Sequence, residues 1–404
     1  MSEICVVGLG YIGLPTAALL AVSGFRVIGV DVNSDVVRTV NNGSIHIVEP
    51  DLEDVVAAAV ASGALSAQLM PAPADVFLIA VPTPFRAAAD CIPQPNTDYV
   101  LAAARAIAPV LRPGNLVLLE STSPVGTTER VAQVLAETCG LNREQLHIAY
   151  CPERVLPGRI LQELISNDRV IGGLTPEAAS AGQAFYASFC QGQLLTTTAR
   201  TAELVKLTEN SFRDVNIAFA NELSLVCDRL GINVRELIRL ANHHPRVNVL
   251  QPGCGVGGHC IAVDPWFIAA AAPDCTPLIQ TARRVNDGKS RWVIERVQSR
   301  AASLEYQLGR SARIGCFGLA FKPDVDDMRE SPALHITTEL VVAGLDVLAC
   351  EPNLSEHPTI KLDSLEQVLE KADLLVFLVA HSPFKGLDLA GRVVFDLCGV
   401  TQKP

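Results

Sequence analysis

Ile4-Cys5-Val6-Val7-Gly8-Leu9-Gly10-Tyr11-Ile12-Gly13 decides the fold. The apolar run from Ile4 to Leu9 reads as a buried strand, and the residues after Gly13 read as a helix, so a glycine-rich turn joins the two. Gly8, Gly10 and Gly13 let the backbone turn tightly and approach a pyrophosphate, whose charge meets the positive end of the helix. Tyr11 and Ile12 complete the loop. About 20 residues on, the run Val27 to Val30 ends in Asp31, a carboxylate placed to accept from ribose hydroxyls and to repel a 2′-phosphate. The expectation is a dinucleotide site that prefers NAD.

Outward from this motif, apolar runs at Val76 to Val81, Leu116 to Glu120 and Leu146 to Tyr150 alternate with amphipathic stretches, as in βαβ units around a parallel sheet. A strand at Val170 and Ile171 and a helix over Ala178 to Phe189 continue the series to about Thr197. Neither Gly nor Pro occurs from Thr201 to Leu230, which permits one long helix with Gly231 as its stop. A second βα series begins at Arg313, with strands at Ile314 to Phe317, Val347 to Cys350, Leu374 to Val379 and Val393 to Phe395. The fold class is α/β. An N-terminal Rossmann-like dinucleotide domain is expected over residues 1–197, a central helical region over 198–300 and a smaller Rossmann-like domain over 301–404.

Composition narrows the function. With 49% hydrophobic and 19% charged residues in 404, the chain has ample core material. A net charge of −11 opposes a nucleic-acid binder, which needs a basic surface to displace counterions, although a few arginines suffice for one anionic ligand. No apolar run reaches membrane-spanning length, and MSEICVVGLG lacks the basic region of a secretory signal, so no membrane insertion and a cytoplasmic location are expected. The 12 cysteines are scattered, as buried thiols would be.

Chemistry concentrates in the middle. On the long helix Lys206, Asn210 and Arg213 fall within roughly 60° of one another, opposite an apolar stripe of Phe212, Val215, Phe219, Leu223, Val226 and Leu230 that reads as the packing face. Further on, GCGVGGHCIAVD (Gly253 to Asp264) is too glycine-rich for a regular element and implies a loop that closely approaches something. Cys260 follows the glycines. A thiolate there can add to an aldehyde and later leave from a thioester. Cys254, His259 and Cys260 do not make a closed tetrahedral set, and no metal is expected.

These residues carry a resemblance. Over nearly its whole length the chain resembles the UDP-glucose/UDP-N-acetylmannosamine dehydrogenase family, from VVGLGYIGLPTA through ESTSPVGTTE, AYCPERVLPG, TAELVKLTENSFRD and GVGGHCIAVDP to GLAFKPDVDDMRESPA. NGSIHIVEPDL, FRDVNIAFANELSL and HPRVNVLQPG are most similar to the UDP-N-acetyl-D-mannosamine branch, which serves surface polysaccharides. The resemblance implies Cys260 as nucleophile, with Lys206 and Asn210 touching the substrate and stabilising negative charge at the sugar C6. Lys206 would also help keep Cys260 ionised. Asp264 and Thr122 would handle water, and Glu153 would be the base that releases the thioester. It further implies substrate contacts at Arg154, Val155, Arg213, His244, Arg246, Gly257, Phe321 and Lys322, and cofactor contacts at Thr83, Thr122 and Arg329.

The implied reaction is a four-electron oxidation that consumes two NAD per UDP-sugar, in a homodimer or higher homo-oligomer. Its rivals are UDP-glucose or UDP-N-acetylglucosamine as substrate, a two-electron hydroxy-acid dehydrogenase, and a non-catalytic nucleotide-sugar binder. Two departures stand out. Cys254 puts a second thiol near Cys260, and DLCGVTQKP lacks the arginine that many relatives place after the last strand.

Overall fold

A computed structural model describes residues 2–86, 92–141, 144–258 and 260–401. The chain divides into two compact units, one of Met1–Glu209 with Trp266–Pro273, the other of Asn210–Pro265 with Asp274–Pro404.

The strands of the first unit are β1 (Glu3–Val7), β2 (Arg26–Val30), β3 (Leu65–Gln68), β4 (Val76–Ile79), the short ladder β5 (Phe85–Arg86) and β6 (Gln94–Pro95), β7 (Leu116–Leu119), β8 (His147–Tyr150), β9 (Arg169–Gly173) and β10 (Leu194–Thr198). Apart from the ladder they form one sheet, in the order β10-β9-β8-β7-β4-β1-β2-β3. Pairing is parallel except between β8 and β9. Alternate residues of β1 feed opposite layers, Ile4 and Val6 one core, Cys5 and Val7 the other. β4 and β7 are buried along their whole length, as a parallel sheet covered on both faces requires. Strand order reverses at β1, and the crevice at the carboxyl ends there is where doubly wound sheets hold nucleotides.

In the second unit β11 (Arg313–Phe317), β12 (Asp346–Cys350), β13 (Leu374–Phe377) and β14 (Val393–Asp396) form an all-parallel sheet in the order β12-β11-β13-β14. Both units build the turn after their first strand alike. Gly8 (φ +93°) donates to Val30 O at 2.8 Å and Gly318 (φ +87°) to Cys350 O at 2.9 Å. Each turn then gives backbone N–H groups to an acid following the neighbouring strand: Leu9 to Asp31, and Leu319 and Ala320 to Glu351. Glu351 also accepts from Asn353 and lies 3.0 Å from Nε2 of buried His381. Burial works to raise its pKa, yet the His381 contact and backbone donors hold it below the usual carboxylate value.

Two 32-residue helices, Ala199–Leu230 and Pro277–Leu308, dominate the middle of the chain. The apolar stripe of the first does not pack within the chain as a core face would. Phe212, Phe219, Val226 and Leu230 are exposed, at 68%, 54%, 47% and 64%, whereas the opposite face of the same helix buries Asp214, Asn221 and Ser224. The polar face wins the interior because the second long helix answers it with Arg283, Asn286 and Lys289, so Asp214, Asn221 and Ser224 each gain at least one bond there. Among the described residues no helix is long and apolar enough to cross a membrane.

Candidate active site

The glycines of the first turn are not equivalent. A Cβ on Gly13 would lie 1.7 Å from Gly8 O, and one on Gly8 would lie 2.5 Å from Ala80 O, so backbone packing demands both. At Gly10 a Cβ would meet nothing within 4 Å. That open space at the start of the helix Gly13–Val22 fits a dinucleotide pyrophosphate. Tyr11 and Ile12 are half-buried beside it. Asp31 accepts from Leu9 N at 3.0 Å and Asn33 N at 2.9 Å, which fixes its carboxylate and leaves lone pairs for ribose hydroxyls. A 2′-phosphate near it would cost on the order of 3 kcal/mol, so NAD is expected to exceed NADP roughly a hundredfold in kcat/KM. Equal turnover with both cofactors would remove Asp31 from the ribose.

Thr83, Thr122 and Glu153 follow the carboxyl ends of β4, β7 and β8. Thr83 Oγ1 donates to Thr122 O at 2.6 Å, joining two residues singled out from the sequence. Lys206 is 6% exposed, and its Nζ donates to Glu153 O at 2.9 Å and lies 3.3 Å from Glu153 Oε1. The other Glu153 oxygen accepts from Val155 N at 2.9 Å, so the loop holds its own acid. Arg154 grips Glu209 at 2.7 Å and donates to Asp168 O at 3.0 Å, which leaves its charge already matched within the chain.

Two acids that support this half escaped the sequence reading. Buried Glu203 accepts from Gly126 N at 2.6 Å and from Thr128 N and Oγ1 at 2.8 and 2.6 Å, tying the turn after Thr122 to the helix of Lys206. Glu49 of IHIVEP accepts from Gly158 N and Ile160 N at 2.8 and 2.7 Å, pinning the end of CPERVLPG. Both lie in conspicuous motifs, but their partners are backbone N–H groups, which no residue pattern announces.

In the second unit Asn210 Nδ2 donates to Asp264 Oδ2 at 2.6 Å, and both side chains are buried. Asp264 opens the helix Asp264–Ala271, and its N–H donates to Cys260 O at 2.8 Å. Cys260 itself is exposed. Cys254 is its opposite: its side chain packs into an apolar cluster, its Sγ donates to Leu378 O at 3.6 Å, and burial pushes its thiol up to about 12. It is an inert core cysteine. His259 lies outside the described residues.

The loop between them rests on the part of the chain that follows Arg313. A Cβ on Gly257 would lie 2.4 Å from Glu330 O and 3.0 Å from Phe321 Cβ, so Gly257 and Phe321 are brought together. Lys322 Nζ is 5.6 Å from the Phe321 ring centre, and Arg329 pairs with Asp327 at 2.6 Å. Arg213, His244 and Arg246 are exposed, the last two on a turn closed by Asn242, which exchanges two hydrogen bonds with Val249. The segment after the last strand, short of an arginine of its own, has one beside it. Arg235 Nη2 donates to Leu397 O at 2.8 Å, and a Cβ on Gly399 would lie 2.7 Å from the Arg235 guanidinium carbon.

Residues 2–190 match the NAD binding domain, 200–288 the central domain and 315–403 the UDP binding domain of the UDP-glucose/GDP-mannose dehydrogenase family. The chain belongs to that family and is an NAD-dependent dehydrogenase of the nucleotide-sugar class. It is 54% identical to UDP-N-acetyl-D-mannosamine dehydrogenase of Yersinia pestis over 98% of each chain. It is 53% identical to NDP-N-acetyl-D-galactosaminuronic acid dehydrogenase of Ralstonia nicotianae, over 98% of this chain and 96% of that one. Among solved structures a UDP-D-ManNAc dehydrogenase from Pyrococcus horikoshii aligns with a TM-score of 0.90 at 38% identity, over 100% of this chain and 96% of that one.

Proposed function

We propose that the protein oxidises UDP-N-acetyl-D-mannosamine at C6 to the uronate, supplying an acidic aminosugar for surface polysaccharide. The observation that carries the chemistry is the exposed thiol of Cys260, four residues before a buried Asp264 that Asn210 holds at 2.6 Å. Bound NAD supplies the two-electron acceptor for each of the two oxidations. The ammonium of Lys206, oriented by Glu153, stabilises the alkoxide at C6 and takes part in its proton transfer. Cys260 adds to the resulting aldehyde as a thiohemiacetal, whose oxidation leaves a thioester. Asn210 donates to the oxyanion, Asp264 and Thr122 position water, and Glu153 accepts its proton as the acyl–sulfur bond breaks. Phe321, Lys322 and Gly257 contact the UDP half. Arg154, Val155, Arg213, His244 and Arg246 complete the substrate contacts, and Arg329 reaches the cofactor.

The protein acts as a homodimer or a higher homo-oligomer. The exposed stripe of Phe212, Phe219, Val226 and Leu230 gives a second copy of the same helix an apolar surface at heptad spacing.

Discrimination among sugars must come from C2 and C4, since UDP and C6 are common to all. A polar group built to meet the axial acetamide and left unpaired by UDP-glucose costs about 1–3 kcal/mol, so UDP-N-acetylmannosamine should exceed UDP-glucose by up to roughly a hundredfold in kcat/KM. Turnover of UDP-N-acetylmannosamine, UDP-N-acetylglucosamine, UDP-N-acetylgalactosamine and UDP-glucose under one NAD concentration tests this. A galactosamine or glucose value at or above the mannosamine value overturns the assignment and leaves the four-electron scheme in place.

A further inference from the structure

Asn210 and Asn221 stand eleven residues apart on the helix Ala199–Leu230. At 100° and 1.5 Å per residue, that spacing returns to within about 20° of one face and separates them by about 16 Å. Asn210 donates to Asp264 at 2.6 Å, while Asn221 Oδ1 accepts from Gly253 N at 3.0 Å. Gly253 and Asp264 are the two ends of the loop that carries Cys260. A single helix face therefore grips that loop at both ends.

Asn221 is itself held from behind. Its Nδ2 donates to Asn286 Oδ1 at 2.9 Å; Asn286 Nδ2 donates to Asp214 Oδ1 at 2.7 Å and Asp214 O at 3.1 Å; and Arg283 Nη1 donates to Asp214 Oδ1 at 2.6 Å. All four side chains are essentially sealed from solvent. Ser290, one turn beyond Asn286, donates to Cys254 O at 2.9 Å and steadies the next residue of the loop. An apolar helix pair would avoid the desolvation cost of this chain, and a chain of directional bonds linking all four side chains fixes register where an apolar seam permits sliding.

We propose that Asn221, backed by Asn286, is a positioning residue for Cys260. It is the second clamp of the Gly253–Asp264 loop and keeps the thiol in register with the Asn210–Asp264 pair. This rests on the reading of Cys260 as the nucleophile. A loosened loop leaves the first oxidation possible but makes trapping of the aldehyde inefficient.

The test uses the full chain carrying Asn221→Ala, assayed with UDP-N-acetylmannosamine and NAD in the presence of hydroxylamine, which captures released aldehyde as an oxime. The expected result is a kcat lowered about ten- to a hundredfold, with NADH per sugar falling from two toward one and the oxime found by mass. A merely structural role would reduce the amount of active enzyme without changing that ratio. A lower rate with two NADH and no oxime, or an unchanged rate, overturns the proposal. If Asn221→Ala does not fold, Ser290→Ala is read in the same way. If the unaltered protein turns over none of the sugars, the functional reading fails and the clamp is judged separately. In that case Cys260 alkylation by iodoacetamide is compared with alkylation of exposed Cys275 in the same chain. A severalfold change of that ratio in the variant supports the clamp, and an unchanged ratio overturns it.

Discussion

Cys260→Ala is expected to abolish uronate formation, with a fall of at least about a thousandfold, while UDP affinity stays within twofold. Two features set this size. Cys260 is exposed and immediately precedes the turn into the helix Asp264–Ala271, whereas Cys254 is locked in the core with its thiol pushed up to about 12 and cannot substitute. Without sulfur there is no thioester, so the second oxidation has no acyl carrier. The first oxidation does not need sulfur, and slow release of aldehyde with one NADH per sugar should persist. A variant that still yields two NADH per sugar near the native rate would sink the covalent scheme.

Lys206→Ala is expected to lower kcat by about a thousandfold and to destabilise the chain as well. Loss of a positioned cation from a developing oxyanion commonly costs 10²- to 10³-fold, the size expected under the proposed role of Lys206. Lys206 and Glu153 have side chains only 7% and 12% exposed, so removing the cation strands a largely buried carboxylate, at a cost of about 3 kcal/mol. At this chain length that should appear as a fall in Tm of several degrees. Thermal unfolding measured beside turnover separates the two effects. A kcat within tenfold of native, with Tm lowered, would reduce Lys206 to a structural partner of Glu153.

Much of the fold was legible because apolar runs and glycines speak directly. Ile4 to Leu9 and Leu116 to Glu120 declared buried strands, and Gly231 declared a helix stop. β3 and β10 were silent, being short edge strands with half their residues polar or exposed, so no apolar run marks them. The long helix misled. Its periodicity was correctly read, but periodicity tells only that two faces differ. Which one goes inside depends on whether a distant helix brings partners such as Asn286 and Arg283. Candidate residues could be named from the sequence where the chemistry lies in the side chain itself, as at Cys260 and Asp31. It was illegible where a carboxylate serves backbone N–H groups, as Glu49 and Glu203 do, because every residue offers such a partner and none advertises it.

The turn shared by the two units bears on where cofactor choice resides. Asp31 takes one backbone donor from its turn and one from Asn33, so it retains the capacity to read a sugar. Glu351, in the corresponding place, spends its oxygens on Leu319, Ala320, Asn353 and His381 and is almost sealed. Ala320 also puts a methyl group where the first unit has the bare Gly10. One architecture thus occurs twice, its acid left with open lone pairs in one copy and converted into an internal rivet in the other. Altering Asp31 should therefore change which dinucleotide is accepted, whereas altering Glu351 should register as a folding defect with NAD selectivity intact.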